Sequence, residues 1–154
     1  MAPKKKEPEP EPEPAEPEVP PEPQEGTGKF LFEDGSRYEG AWAIIDGVKL
    51  RHGQGIYIEA GGQTYEGEWR NDKMHGRGIF RYTSNAKYEG EFRENVYYGH
   101  GTYTFPDGSV YEGPFDNNQM HGAGAFTDPQ GIQWQGTFYN GTGPGLPGGV
   151  VTAA

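Results

Sequence analysis

Residues 65–78, YEGEWRNDKMHGRG, combine residue types that could form an active site. Glu66 and Glu68 could serve as a general acid and a general base. His75 could transfer a proton or bind a metal ion, and the glycines could let the backbone approach a ligand. Whether this stretch is a site or a repeated structural unit depends on what stands at the same spacing elsewhere in the chain.

The same pattern returns along the chain at a nearly constant spacing. A triplet headed by an aromatic residue occurs five times, with gaps of 27, 23, 23 and 23 residues: Tyr38-Glu39-Gly40, Tyr65-Glu66-Gly67, Tyr88-Glu89-Gly90, Tyr111-Glu112-Gly113 and Trp134-Gln135-Gly136. A second ring follows each triplet's first residue by four positions: Trp42, Trp69, Phe92, Phe115 and Phe138. Such spacing is the signature of a repeat array.

The clearest copy, GHGTYTFPDGSVYEGPF at 99–115, predicts a β-hairpin. Pro106-Asp107-Gly108 is typical of a type I turn followed by a left-handed glycine, which closes a three-residue loop. Around this loop Tyr103 pairs with Tyr111 and Gly101 with Gly113. The same register predicts further aromatic pairs in the other copies: Phe30 with Tyr38, Tyr57 with Tyr65, Phe80 with Tyr88, and Phe126 with Trp134. At the left-handed loop position the third copy has Asn85, which tolerates this conformation better than most residues.

Each predicted hairpin has one aromatic and glycine face and one polar face, which is the period of two expected of a half-buried antiparallel sheet. The polar face takes Glu66, Glu68, Glu89 and Glu91. Glycine inside a strand costs backbone entropy and adds no packing. Its recurrence here predicts that bare backbone makes room for rings of neighbouring hairpins.

The unit Y-E-G-x-W/F-x-N-x-x-M-H-G-x-G-x-F/Y resembles the MORN repeat over roughly residues 26–140. The resemblance implies an all-β fold, an elongated single-layer antiparallel β-meander built from about five 23-residue hairpins. The segment GTYTFPDGSVYEGPF and the later DPQGIQW are similar to small ciliary and sperm-associated members of that family. Two positions depart from the family pattern, Tyr98 in place of histidine and Pro114, which removes a strand donor.

The composition divides the chain into three parts. Residues 1–25 hold nine prolines, three lysines and eight glutamates, a net charge of −5, which predicts a disordered extended arm. This arm acts either as a solubilising spacer or as a tether whose Lys4–Lys6 end contacts an acidic partner. Residues 26–140 form the predicted sheet domain, and residues 141–154 form a Gly/Pro-rich C-terminal tail.

The repeats argue against enzymatic chemistry. His52, His75 and His121 share one repeat position, which Tyr98 takes in the fourth copy. Equivalent histidines in successive hairpins would stand roughly 10 Å apart, too far to share a metal ion. We therefore expect them to bond locally near the turns between hairpins. The glutamates recur along the array, and no cleft distinguishes one of them from the others. We therefore interpret them as a solvated face or as a contact with a partner. The chain contains no cysteine, and we predict no enzyme, no metal and no cofactor.

The aromatic face is the candidate functional surface, because a single-layer sheet has no second layer to cover its rings. Either the rings stack only with one another, or part of them forms a groove that docks a partner. We favour the groove, and its predicted residues are Tyr65, Trp69, Phe80, Tyr88, Phe92, Tyr103, Tyr111, Phe115, Phe126 and Trp134.

Two functions from different classes fit these observations. The first is a structural or adaptor module that holds a helix or extended segment of a larger assembly. The resemblance implies this role and points to the ciliary or flagellar axoneme, at a radial spoke or the central apparatus. The second is a peripheral membrane protein that recognises phosphoinositides, which the net charge of −10 disfavours. The acidic balance also argues against nucleic acid. We expect a soluble, cytoplasmic protein whose open sheet edges allow end-to-end association.

Overall fold

The computed structural model describes residues 24–146, which form one open antiparallel β-sheet and no helix. The predicted all-β meander is therefore confirmed. The strands are β1 Glu25–Leu31, β2 Arg37–Ile45, β3 Val48–Ile58, β4 Thr64–Arg70, β5 Lys73–Arg81, β6 Lys87–Arg93, β7 Val96–Thr104, β8 Val110–Asp116, β9 Gln119–Met120, β10 Gly122–Thr127 and β11 Gln133–Phe138. Residues 1–23 of the predicted arm and 147–154 of the predicted tail lie outside the described residues.

Consecutive strands pair with one another along the sheet, except that β9 and β10 both pair with β8. The predicted register is confirmed in all five hairpins. Phe30 lies opposite Tyr38, Tyr103 opposite Tyr111, and Phe126 opposite Trp134. The same alignment places Tyr57 opposite Tyr65 and Phe80 opposite Tyr88. We call the face that carries these rings the ring face, and the opposite face the polar face.

Each hairpin closes through the predicted three-residue loop. In the fourth hairpin the amide of Phe105 donates to the carbonyl of Ser109 at 2.8 Å, and the amide of Gly108 donates to the carbonyl of Phe105 at 3.0 Å. The left-handed position has φ = +87° at Gly108 and φ = +71° at Asn85, as predicted for both. These loops line one side of the sheet, which we call the loop edge.

Two-residue turns join the hairpins along the opposite side, which we call the turn edge. Asn71-Asp72, Glu94-Asn95 and Asn117-Asn118 have φ between +46° and +72° at both positions, the conformation of type I′ turns. Their second residues bind the preceding repeat. The amide of Asn95 donates to the carbonyl of Met74, and the Asn95 side-chain oxygen accepts the amide of Met74 at 2.9 Å. Asn118 makes the same pair of bonds with Tyr97.

A β-bulge follows the repeated triplet in three copies, at the residue after Gly40, after Gly67 and after Gly90. The hydroxyl of the triplet's tyrosine satisfies the carbonyl of the residue at this position. Tyr65 donates to Glu68 at 2.8 Å and Tyr88 donates to Glu91 at 2.6 Å. A tyrosine is needed here rather than phenylalanine, because its hydroxyl reaches a carbonyl that would otherwise be buried without a partner.

Pro114 interrupts the regular pattern in the fourth repeat, as its missing N–H predicts. Two short strands, β9 and β10, pair with β8 where the other repeats have one continuous strand. The amide of His121, which lies between them, donates to the carbonyl of Pro114 at 3.0 Å.

The start of the predicted C-terminal tail folds back over the last repeat. Asn140 and Gly141 form another two-residue turn, and the amide of Gly141 donates to the carbonyl of Met120, as the earlier turns do to their preceding repeats. After this turn the chain crosses the ring face of β11. Gly143 lies against Phe138, and Leu146 packs on the core.

Candidate functional site

The ring face consists of a continuous ladder of edge-to-face aromatic pairs. The tyrosine of each repeat contacts the second ring of the next repeat, with centroids 4.9 Å apart for Tyr65 and Phe92 and 5.0 Å apart for Tyr88 and Phe115. Within the second, third and fourth repeats the same two types of ring meet again, as Tyr88 and Phe92 do at 5.0 Å. Edge-to-face pairs at this distance are favourable beyond their area burial. The ladder is therefore the core of the protein.

This stacking divides the ten predicted groove residues by exposure. Seven of them are buried: Tyr65, Trp69, Tyr88, Phe92, Tyr111, Phe115 and Phe126. Phe80 and Tyr103 are half-buried, and Trp134 is 42% exposed. For most of the ten predicted groove residues, the rings therefore stack with one another and do not line an open groove. Phe92 and Phe115, at 3% and 5% exposure, offer a partner little surface for direct contact, because the neighbouring tyrosines cover them.

A cleft of about 600 Å³ remains open on the ring face over the third and fourth repeats. Its apolar lining combines three predicted residues, Phe80, Tyr103 and Phe115, with residues outside the predicted set, mainly Tyr82, Phe105 and Met120. Glu59 contributes to it from the loop edge, and Asn95 and Asn118 contribute from the turn edge. The cleft therefore has an aromatic interior and polar rims, which is the usual composition of a site that binds another molecule.

Two patterns in the sequence could have identified the cleft residues that sequence reasoning missed. Tyr82 and Phe105 continue the period of two beyond Phe80 and Tyr103 into the loop edge. A second set stands nine residues after each triplet's tyrosine, or thirteen in the first repeat because of its insertion: Arg51, Met74, Tyr97 and Met120. Three members of this second set line the cleft.

Tyr97 is the most constrained side chain in the cleft. Its ring stacks flat on Tyr88, with centroids 3.8 Å apart, and its hydroxyl bonds to that of Tyr82 from the loop edge. This pair of hydroxyls forms a bridge above the ring face. Burial, followed by the contact with Tyr82, raises the pKa of the Tyr97 hydroxyl well above its usual value. The Tyr97 hydroxyl therefore stays protonated over the physiological pH range.

Arg51 occupies the equivalent position near the other end of the array. Its guanidinium lies 4.1 Å from the ring centroid of Trp69 and 4.9 Å from that of Tyr57. Its Nε donates to a carboxylate oxygen of Asp72 at 2.5 Å. Cation–π contacts of this kind hold the side chain flat on the rings. Arg51 therefore covers the rings at its end of the array, whereas the cleft stays open at the equivalent positions Met74 and Met120.

The polar face carries rows of carboxylates, some of which have a basic neighbour. Glu66 lies 3.8 Å from Arg81, and Glu89 lies 3.6 Å from Lys87. These pairs are exposed and contribute little to stability. Glu91 differs from the predicted solvated role, because its carboxylate accepts the backbone amide of His100 at 2.5 Å. It stabilises the strand after the left-handed Gly99.

The repeated histidines do not converge. His52 accepts the amide of Asn71 at 3.3 Å, which is the local bond expected beside a turn. His121 lies against Tyr139 with ring centroids 5.1 Å apart. Within residues 24–146 no three histidine, aspartate or glutamate side chains are grouped as metal ligands. The same range contains no helix long and apolar enough to cross a membrane.

Comparison with known proteins agrees with the repeat organisation. The MORN repeat profile matches residues 24–37, 49–63, 65–87, 88–110 and 111–133. Repeats of this type are generally protein- or membrane-interaction modules, and the proteins built from them are generally not enzymes. A search of curated proteins found no match. Because the five matched segments cover more than half of the chain, the protein belongs to the MORN-repeat family.

Proposed function

We propose that this protein is a non-enzymatic adaptor that docks a helix or an extended segment of a protein partner in the cleft on its ring face. One observation carries the proposal: an aromatic cleft of about 600 Å³ remains open over the third and fourth repeats, although most of the predicted groove residues are buried. Aromatic and methionine side chains are the residues most enriched in interface cores. The net charge of −10 does not favour an anionic membrane as the occupant.

We propose further that the partner belongs to an axonemal complex, at a radial spoke or the central apparatus of a cilium or flagellum. The support for this location is the resemblance of GTYTFPDGSVYEGPF and DPQGIQW to small ciliary and sperm-associated members of the family. An epitope-tagged chain expressed in ciliated cells should concentrate along the axoneme. A uniform cytoplasmic distribution would contradict the location without affecting the cleft.

The docking proposal is tested by comparing two substitutions on opposite faces. Phe80→Ser should remove partner binding, because Phe80 is half-buried in the cleft. Its neighbour Ile79 points to the polar face, so Ile79→Ser is the matched control and should leave binding unchanged. Full-length native and variant chains, each checked for native circular dichroism, serve as baits, and the captured partner is then titrated as a purified segment.

An anchor residue of this type commonly contributes 2 kcal/mol or more, so Phe80→Ser should weaken binding by about thirtyfold or more. Partner binding that survives Phe80→Ser but is lost in Ile79→Ser would place the site on the polar face instead. Co-sedimentation with vesicles containing phosphoinositides distinguishes membrane binding from the docking of a protein segment. Strong vesicle binding by the native chain would overturn the docking proposal if the captured protein segments did not bind.

A further inference from the structure

The two ends of the sheet are not equivalent. At the C-terminal end the chain folds back over β11, so that Pro144 lies against Gly136 and Gly145 lies against Trp134 on the ring face. At the N-terminal end β1 pairs with β2 alone, and its residues alternate between exposed and half-buried. Among residues 24–146 β1 is therefore a sheet edge without a segment over its ring face, and such an edge offers a row of backbone donors and acceptors.

The backbone groups that β1 presents at this edge follow from its pairing with β2. The amide of Phe32 donates to the carbonyl of Ser36, so hydrogen-bonded pairs recur at every second residue from the loop, at Phe30 and Gly28. The groups of Glu25, Thr27, Lys29 and Leu31 consequently point away from β2. A second strand could bond to these four residues without disturbing the hairpin.

Junctions between repeats show what kind of strand fits there. At each junction two glycines face each other in a non-hydrogen-bonded pair, where strands approach most closely. A Cβ on Gly40, Gly67 or Gly90 would lie only 2.4–2.5 Å from the Cα of the facing glycine. In the first repeat the glycine at the corresponding position of the free edge is Gly28.

The sequence of β1 is complementary to itself around that glycine. Antiparallel pairing of EGTGKFL with a second EGTGKFL, centred on Gly28, places Gly28 opposite Gly28 of the second copy and Gly26 opposite Phe30. The first pair repeats the glycine pair of the internal junctions. The second brings a glycine opposite an aromatic residue, as Gly53 and Trp69 or Gly99 and Phe115 are within hairpins, but here in a non-hydrogen-bonded pair.

The ring face also lacks one tyrosine contact at the N-terminal end of the sheet. Trp69, Phe92, Phe115 and Phe138 each receive the tyrosine of the preceding repeat at 4.7–5.5 Å. Trp42 is their equivalent in the first repeat, and within residues 24–146 no earlier repeat supplies it with a tyrosine. Its ring lies over Gly26. In the self-paired arrangement Phe30 of the second copy stands directly opposite Gly26, beside Trp42. A two-fold axis through Gly28 supplies this contact twice.

We propose that the protein forms a two-fold symmetric dimer in which the β1 strands of two copies pair edge to edge, centred on Gly28. The dimer joins the two sheets with both ring faces on the same side. Polar-face pairs across the junction bring Thr27 opposite Lys29 of the second copy. This interface is separate from the cleft, and its test does not depend on the docking function.

The oligomeric state of the full-length chain, measured by sedimentation velocity over a concentration series, tests the proposal. Thr27→Pro removes an outward-facing N–H and should abolish the dimer. Gln135→Pro is the matched control, because Gln135 holds the corresponding outward position on β11, opposite Ala125. A dimer lost in Gln135→Pro and retained in Thr27→Pro would show that β11 pairs with β11, and a dimer lost in both variants would show head-to-tail pairing of β1 with β11. Either result would overturn the proposal, as would a native chain that stays monomeric.

A charge pair provides a second test that does not require a proline in the strand. Thr27 is exposed, so its side chain can be changed without affecting the core. Thr27→Lys places like charges opposite Lys29 of the second copy and should raise the dimer dissociation constant several-fold, whereas Thr27→Glu should lower it. Equal effects of both substitutions, or none, would contradict the predicted register.

Discussion

Tyrosine and glycine have complementary functions within each repeat. Tyr88 lies across Gly101, where a Cβ would come within 2.6 Å of the ring, and its hydroxyl reaches the carbonyl of Glu91. Sequence reasoning assigned the glycines to ring packing alone. The structure shows two kinds of glycine. Gly101 makes room for a ring, whereas Gly90 faces the backbone of Gly101. The two positions therefore exclude side chains for different reasons.

Gly90→Val should destabilise the protein although valine favours strands. Its Cβ would lie 2.5 Å from the Gly101 Cα and 2.6 Å from the His100 carbonyl oxygen, and backbone atoms cannot move aside as a flexible side chain can. We expect a loss of about 1–3 kcal/mol in the free energy of unfolding, measured by urea denaturation. Gly61→Val is the control, since nothing lies within 4 Å of its added Cβ. Equal losses of unfolding free energy in the two variants would show that close packing at Gly90 does not cause the effect.

Buried tyrosines predict a decline of stability at alkaline pH. Burial raises the pKa of Tyr38 and of Tyr111 to about 12, and raises those of Tyr65 and Tyr88 further. Because the unfolded chain ionises near pH 10, their contribution is fully present below pH 10 and is lost as the pH rises through about 12. Urea denaturation at a series of pH values measures this decline.

The slope of that decline identifies its source. Tyr111→Phe should reduce the steepness above pH 10, because one buried group no longer titrates, although the lost hydroxyl lowers stability at all pH values. Tyr139→Phe should leave the slope unchanged, because Tyr139 is 65% exposed. A decline confined to the range between pH 7 and 9 would exclude the tyrosines as its cause.

Among the elements, the turns between hairpins are the part that sequence reasoning missed. Glycine and proline made the three-residue loops recognisable, and the register followed from matching rings and glycines across them. The type I′ turns at Glu94-Asn95 and Asn117-Asn118 contain no glycine, so the strongest hairpin signal was missing. Asn at the second position was the available clue, since it tolerates positive φ and its side chain can bond to backbone.

Asn95 should contribute to stability through its conformation and through its side chain. Asn95→Gly keeps positive φ accessible but removes the oxygen that accepts the Met74 amide, so we expect a loss of about 1 kcal/mol. Asn95→Ala should cost about 1 kcal/mol more, because alanine adopts the left-handed conformation unfavourably. Urea denaturation of both variants separates the two contributions. An Asn95→Ala no less stable than Asn95→Gly would contradict the turn assignment.

For the candidate site, sequence reasoning identified the correct face but not its accessible residues. Alternation along each strand placed the rings on one side, which the structure confirms. Exposure depends on how rings of different repeats stack, and pairing rules within one hairpin do not contain that information. Phe92 was consequently predicted as a contact although it is buried, and Tyr82, which lines the cleft, was omitted.

On the scale of the whole molecule, stability should be distributed along the array. Each hairpin contacts mainly its two neighbours in the strand order β1 to β11, as expected of a repeat protein. Hydrogen exchange should therefore show separate local opening at the ends and in the middle rather than one global transition. Damage at one end should remain near that end.

The folded-back tail provides the test of this local behaviour. Removing residues 143–154 exposes Phe138, which is fully buried under Gly143, and also uncovers Phe126 and Trp134 where Gly145 lies against them. We expect amide exchange in β10 and β11 to accelerate at least about tenfold, equivalent to about 1.4 kcal/mol, while exchange in β4 to β6 stays unchanged. Removing only residues 147–154 leaves these contacts in place and should change neither region. If the longer deletion accelerated exchange equally in β4 to β6, the array would open as one cooperative unit, and the tail would stabilise the whole sheet rather than its last repeat.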